Sequence, residues 1–202
     1  LKAPRMPMVD DPEVNDGPVI AFGARHLTPI GPEFLANTVV SNTQSEPWVA
    51  SLPSGGFVLA WRSFGPNPAF DDIKAQLFDA AGAKVGGEFL VSTVTTVSQI
   101  QPTVTGLASG GFVVAWQDLS TSPASIKAQL YDASGAAVGG EQLVSTDTGG
   151  SQQQPALTAL PSGGFVLTWT NSNGQDVAAQ LFDASGAKVG GEIVVNTTTT
   201  WS

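Results

Sequence analysis

Ser109-Gly110-Gly111-Phe112-Val113-Val114-Ala115-Trp116 is one of three writings of Ser-Gly-Gly-Phe-Val-x-x-Trp in this chain of 202 residues. Ser54-Gly55-Gly56-Phe57-Val58-Leu59-Ala60-Trp61 precedes it, and Ser162-Gly163-Gly164-Phe165-Val166-Leu167-Thr168-Trp169 follows. The three Trp anchors lie 55 and 53 residues apart. A period of about 50 residues signals a repeat architecture, in which each copy is one supersecondary unit. Residues common to all copies are therefore expected to build the copy, and function is sought where the copies differ.

Working outward from the central stretch, the Gly pair predicts a tight hairpin, since glycine adopts positive φ without a steric penalty. Before it runs a strand of small residues, Thr103–Leu107, matched by Ala156–Leu160. After it, Phe112–Trp116 is apolar on both faces, as in a strand covered on both sides. Ile126–Tyr131 alternates, giving one wetter face. Asp132-Ala133-Ser134-Gly135 supplies the next turn, and a fourth strand is expected from Glu141 to about Ser145. Four antiparallel strands per copy, graded from small and apolar to alternating and polar, describe an all-β fold of repeated four-stranded blades. It is β-propeller-like, with the first strand nearest the axis. The alternative is a stack of β-sandwich or solenoid modules.

The boundaries are an extended N-terminal arm at 1–18 and a repeat domain at 19–202. The repeat domain divides into a half-copy at 19–46 and copies at 47–101, 102–154 and 155–202. The half-copy aligns Gly31-Pro32-Glu33-Phe34-Leu35 with Gly86-Gly87-Glu88-Phe89-Leu90. It repeats only the third and fourth strands. These types thus occur four times and the first two only three times, so an incomplete ring, an open array or a segment of a larger protein is expected.

Charged residues make up 12% of the chain, with 17 acidic against 8 basic and a net charge of −9. With no Lys/Arg cluster to track phosphates, nucleic acid is not an expected partner. Without cysteine, disulfides and thiolate metal sites are excluded. No apolar run approaches the roughly 18 residues of a membrane span.

The set Gln-x-x-Pro, Ser-Gly-Gly-Phe-Val-Val-Ala-Trp-Gln, Ile-Lys-Ala-Gln-Leu-Tyr-Asp-Ala-Ser-Gly and Val-Gly-Gly-Glu resembles a repeat of large bacterial extracellular proteins. Many of these carry RTX regions and leave the cell by type I secretion. The resemblance spans residues 19–202 and implies an extracellular or cell-surface location. The RTX nonapeptide Gly-Gly-x-Gly-x-Asp is missing from this sequence, so the resemblance carries no calcium site with it.

Asp79, Asp132 and Asp183 open turns, and Glu33, Glu88, Glu141 and Glu192 begin strands. Acids in equivalent places share one environment, whereas a catalytic pair needs two, so structural roles are expected. Calcium on the turn aspartates is the minor alternative, and no other cofactor is expected. Trp61, Trp116 and Trp169 close apolar strands and are expected in the core. His26, the single histidine, has no nucleophile motif near it. The residues that differ between copies are the interaction candidates. They are Trp48, where other copies have Thr103 and Ala156, Trp201, and Phe64, Phe70, Asp71, Asp72, Asp118 and Asp176 around the second-to-third-strand loops.

The leading expectation is a non-enzymatic extracellular repeat domain for protein assembly or adhesion, with protein partners or self-assembly. One alternative is a carbohydrate-binding propeller, with a glycan as partner. A second is an accessory domain or subunit of a larger secreted enzyme.

Overall fold

Each Gly-Gly stretch folds as the hairpin its sequence demands. Leu107 N donates to Gly111 O at 2.8 Å and Gly110 N to Leu107 O at 3.0 Å. Gly110 has φ +94°, and a Cβ on Gly111 would lie 2.2 Å from the Tyr131 carbonyl. The computed structural model describes residues 33–64, 70–147, 149–172 and 176–196. Residues 35–202 form one compact unit, apart from residues 1–34.

Twelve strands lie among the described residues. Blade 1 comprises β1 (Gln44–Ser51), β2 (Phe57–Phe64), β3 (Asp71–Phe78) and β4 (Lys84–Leu90). Blade 2 comprises β5 (Gln99–Gly106), β6 (Phe112–Asp118), β7 (Ser125–Tyr131) and β8 (Ala137–Leu143). Blade 3 comprises β9 (Gln152–Ala159), β10 (Phe165–Asn171), β11 (Asp176–Phe182) and β12 (Lys188–Val194). Each is one antiparallel sheet with strands in sequence order. The structure is all-β and built of repeated four-stranded antiparallel blades.

The blades stack through their faces. Val58, Ile73 and Val91 of blade 1 meet Val104, Phe112, Val114 and Trp116 of blade 2. Val113, Ile126 and Val144 on the other face of blade 2 meet Phe165, Leu167 and Trp169 of blade 3. Every residue of β6 is buried, which is why its sequence is apolar on both faces. Stacked ring pairs recur beside the first hairpin, with centroids 4.7 Å apart in Phe57–Phe78, 4.9 Å in Phe112–Tyr131 and 4.5 Å in Phe165–Phe182.

The fourth strand begins earlier than its sequence suggests. β8 starts at Ala137, runs through Gly139-Gly140 and reaches Glu141 near its end. Gly139 at φ +70° makes this passage as a bulge, where the pairing with β7 shifts between Ala128 and Leu130. Buried Gln129 supplies the donor the bulge needs, its Nε2 lying 2.9 Å from Leu130 O and 3.2 Å from Val138 O. Gln76 and Gln180 do the same in their blades.

The first strand also begins earlier. Pro47, Pro102 and Pro155, which head the sequence copies, lie inside β1, β5 and β9. The structural unit starts instead at Gln44, Gln99 and Gln152. Residues 33–43 contain no strand, so Glu33 does not start one. Its copy has Gly31-Pro32 where the others have Gly-Gly, and proline lacks the ladder N–H. The arm and the rest of the half-copy, residues 1–32, lie outside the described residues.

Candidate functional site

The three first strands bulge at one place. Glu46, Gln101 and Gln154 have φ of 53°, 54° and 55°, and the pairing of each strand shifts there. Left-handed backbone at three non-glycine residues is costly and needs support from its surroundings. The support comes from blade to blade. Gln101 N donates to Glu46 Oε2 at 2.7 Å, and Gln154 N donates to Gln101 Oε1 at 2.7 Å. The three bulges thus form a polar ladder across the blades.

Beside this ladder opens a cleft of about 470 Å³, lined by Glu46, Trp48, Gln101, Pro102, Gln154, Pro155 and Ala156. Trp48 is 49% exposed, a large ring standing where the neighbouring blades have Thr103 and Ala156. Blade 1 differs behind the cleft as well. Arg62 lies 3.0 Å from Glu46 and 2.8 Å from Asp71, whereas Gln117 and Thr170 hold its place in the other blades. The bond to buried Asp71 is the main reason the Arg62 pKa is raised; burial opposes it and Glu46 adds to it. One guanidinium thereby fixes Glu46 and serves two carboxylates.

The sequence candidates have different fates. Trp48 faces the cleft. Asp71 reaches the same cluster only through Arg62. Asp72 is half-buried, and burial raises its pKa against the pull of Lys74. Its Oδ1 has no hydrogen-bond partner among the described residues. Phe64 and Phe70 are half-buried, and Asp176 accepts from Asn196 Nδ2 at 2.8 Å. Asp118 corrects the expectation of a surface contact, because it is fully buried. Lys127 pairs with it at 2.5 Å, while Gln99 Nε2 and Ser120 N each donate to it at 2.9 Å. Such a charge is tolerated in the interior only with these partners, and a binding partner cannot reach it. Trp201 lies outside the described residues.

The repeated acids build the fold. Asp132 Oδ1 accepts from Ser134 N at 2.8 Å and Ala136 N at 3.0 Å, and Asp79 and Asp183 close the same turn. Glu141 accepts from Thr93 N, and Glu192 from Thr146 N and Oγ1, each tying its blade to the one before. Among the described residues no group of three or more His, Cys, Asp or Glu is disposed to hold a metal. Trp61, Trp116 and Trp169 are buried, which removes them as sugar-stacking platforms. Sequence reasoning missed Glu46 and Arg62. The signal was the difference between copies at positions 46, 101 and 154, and at 62, 117 and 170.

No protein-family profile matches the chain, and no curated protein matches it. Among solved structures it is similar to α-L-arabinanase from Penicillium chrysogenum complexed with arabinobiose (TM-score 0.56, 15% identity). That likeness covers 81% of this chain and 52% of the other. It is also similar to endo-arabinase from Bacteroides thetaiotaomicron VPI-5482 (TM-score 0.51, 14% identity), over 81% of this chain and 66% of the other. Arabinanases are five-bladed β-propellers, and this chain spans between half and two thirds of their length.

The likeness corrects the expectation of a non-enzymatic domain for assembly or adhesion, since these two similar solved structures are arabinan-acting enzymes. The repeat suggested a scaffold alone because its shared residues are all structural. At these identities the likeness is one of fold. The described residues of this chain are three blades of a β-propeller-like fold, and carbohydrate-active enzymes use that fold.

Proposed function

We propose that this chain belongs to a secreted carbohydrate-active propeller and that its cleft holds an uncharged oligosaccharide. The observation that carries the reading is the exposure of Trp48 beside a ladder of carboxylate and carboxamide groups. A sugar has an apolar C–H face and a hydroxyl rim. The ring of Trp48 suits the first through its electron-rich face, and Glu46, Gln101 and Gln154 suit the second as acceptors and donors. Ala156, Pro102 and Pro155 complete the lining of the cleft without adding charge. Among the described residues no Lys, Arg or His lines the cleft, and Arg62 is already shared between two carboxylates, so a uronate would meet Glu46 there with no free counter-charge. The arabinobiose complex of one similar structure agrees with a sugar as ligand.

The same inventory supports binding more than turnover by these three blades. Glycoside hydrolysis ordinarily employs two carboxyl groups flanking the bond, and among the described residues Glu46 is the one carboxylate lining the cleft. Cleavage would need a second from outside them.

A glycan array followed by isothermal titration with the best hit tests the reading. Saturable binding of neutral oligosaccharides, with oligouronates excluded, is the expected result. An array without hits, or a clear preference for uronates, would overturn it.

A further inference from the structure

Blade 3 presents to solvent the face that blades 1 and 2 bury. In blade 1 that face carries Val58, Ile73 and Val91, all at most 3% exposed under blade 2. In blade 2 it carries Val113, Ile126 and Val144, all at most 1% exposed, and Val113, Ile126 and Val144 meet blade 3. The same three positions of blade 3 are Val166, Val177 and Val195. Val177 is 40% exposed and Val195 55%, and Val166 is half-buried. Ile193, at the place of Phe89, is 48% exposed. The residue types have stayed apolar while the cover is gone, and a patch of this kind marks an interaction surface.

We infer that this face seats a fourth blade of the same module, continuing the ring. The polar groups favour that occupant, because they repeat the two existing interfaces. The carbonyl of Val91 accepts from Tyr131 Oη at 3.4 Å and that of Val144 from Lys188 Nζ at 2.8 Å, each donor on the following blade. Val195 O offers the third such acceptor. The third- to fourth-strand turn of the following blade rests on Leu77 through Gly135 and on Leu130 through Gly186, and Leu181 holds that position in blade 3. The ladder of bulges also runs one way, each side chain accepting from the next blade's N–H. The Gln154 carboxamide is the next acceptor in that series. A fourth blade with a glycine in this turn, a Lys or Tyr donor and a first-strand bulge would satisfy all three features. It would also add a fourth bulge to the cleft.

The test compares the full chain with the same chain extended after Ser202 by a second copy of residues 149–202. The expected result is that the full chain is monomeric by light scattering and binds an apolar dye such as ANS. The extended chain should gain roughly 5–10 °C in Tm while its dye binding stays near the original's, because the added blade turns the same apolar face outward. Val195→Asp in the extended chain should abolish the gain, while the same substitution in the original chain, at an exposed position, leaves its Tm unchanged. An extension that leaves Tm unaltered would overturn the inference. So would an original chain that is a dye-silent dimer, because a second copy would then be the occupant.

Discussion

The indole Nε1 of Trp116 donates to Gln99 Oε1 at 2.8 Å, and Gln99 Nε2 donates onward to Asp118 Oδ1 at 2.9 Å. All three residues are buried. The same indole-to-carboxamide bond, at 2.8 Å and across 17 residues, joins Trp61 to Gln44 and Trp169 to Gln152. The Gln of each Gln-x-x-Pro motif thus completes the hydrogen bonding of that blade's Trp. A large ring can then fill the core without leaving its N–H unpaired.

Gln99→Leu should cost about 2–3 kcal/mol, because it strands the indole N–H and removes a partner from buried Asp118. Gln44→Leu should cost about 1 kcal/mol, since Gln44 Nε2 has no hydrogen-bond partner among the described residues. Urea unfolding midpoints of the two variants would check the difference. Equal losses would count against a network centred on Asp118.

Stability should fall as the solution is acidified from about pH 5 to pH 2. Burial works to raise the Glu88 pKa, but hydrogen bonds from Lys74 and Thr38 outweigh it and hold the carboxyl at about 2, against 4.5 ordinarily. A folded-state pKa below the unfolded one stabilises above the unfolded value, and that stabilisation is lost as pH falls through the folded value. Asp118 is lowered too, its bonds to Lys127 and Ser120 outweighing burial, so it adds the same sign. Glu88→Gln should flatten the acid limb of a pH-dependent unfolding series. Asp72 has the opposite sign, because burial raises its pKa, and Asp72→Asn should raise the urea midpoint at pH 7.

The two glycine pairs should respond differently to alanine. A Cβ on Gly111 would meet the Tyr131 carbonyl at 2.2 Å, whereas one on Gly140 would find nothing within 4 Å. Gly111→Ala should cost more than about 3 kcal/mol or prevent folding, and Gly140→Ala should fall within about 0.5 kcal/mol of the parent. Thermal denaturation separates these outcomes.

The two kinds of tryptophan should separate stability from binding. Trp116→Ala empties a fully buried site and should cost about 3–5 kcal/mol. Trp48→Ala, at a half-exposed ring, should cost less than about 1 kcal/mol. A large loss for Trp48→Ala would recast that ring as structural.

Strand order, hairpins and turns were legible because Gly-Gly, Asp-x-x-Gly and the apolar runs act locally. The bulges were not. A left-handed Glu46 or Gln101 depends on a hydrogen bond to another blade, and no pattern within one copy encodes it. Asp118 misled for a related reason. It follows an apolar strand and precedes a polar loop, so its burial becomes evident only once Lys127 and Gln99 are folded onto it. Of the candidate site, Trp48 was legible as a departure between copies. Glu46 and Arg62 depart in the same way but stand in no familiar motif, and their meaning comes from the 3.0 Å contact between them.

The cleft beside Trp48 is proposed to bind a neutral sugar chain. Isothermal titration of arabino-oligosaccharide into the parent chain and into Trp48→Ala tests it most directly. Saturable binding by the parent, weakened tenfold or more in the variant (about 1.4 kcal/mol), is the predicted result. Equal affinity in the two proteins, or no heat from the parent at millimolar sugar, would contradict it.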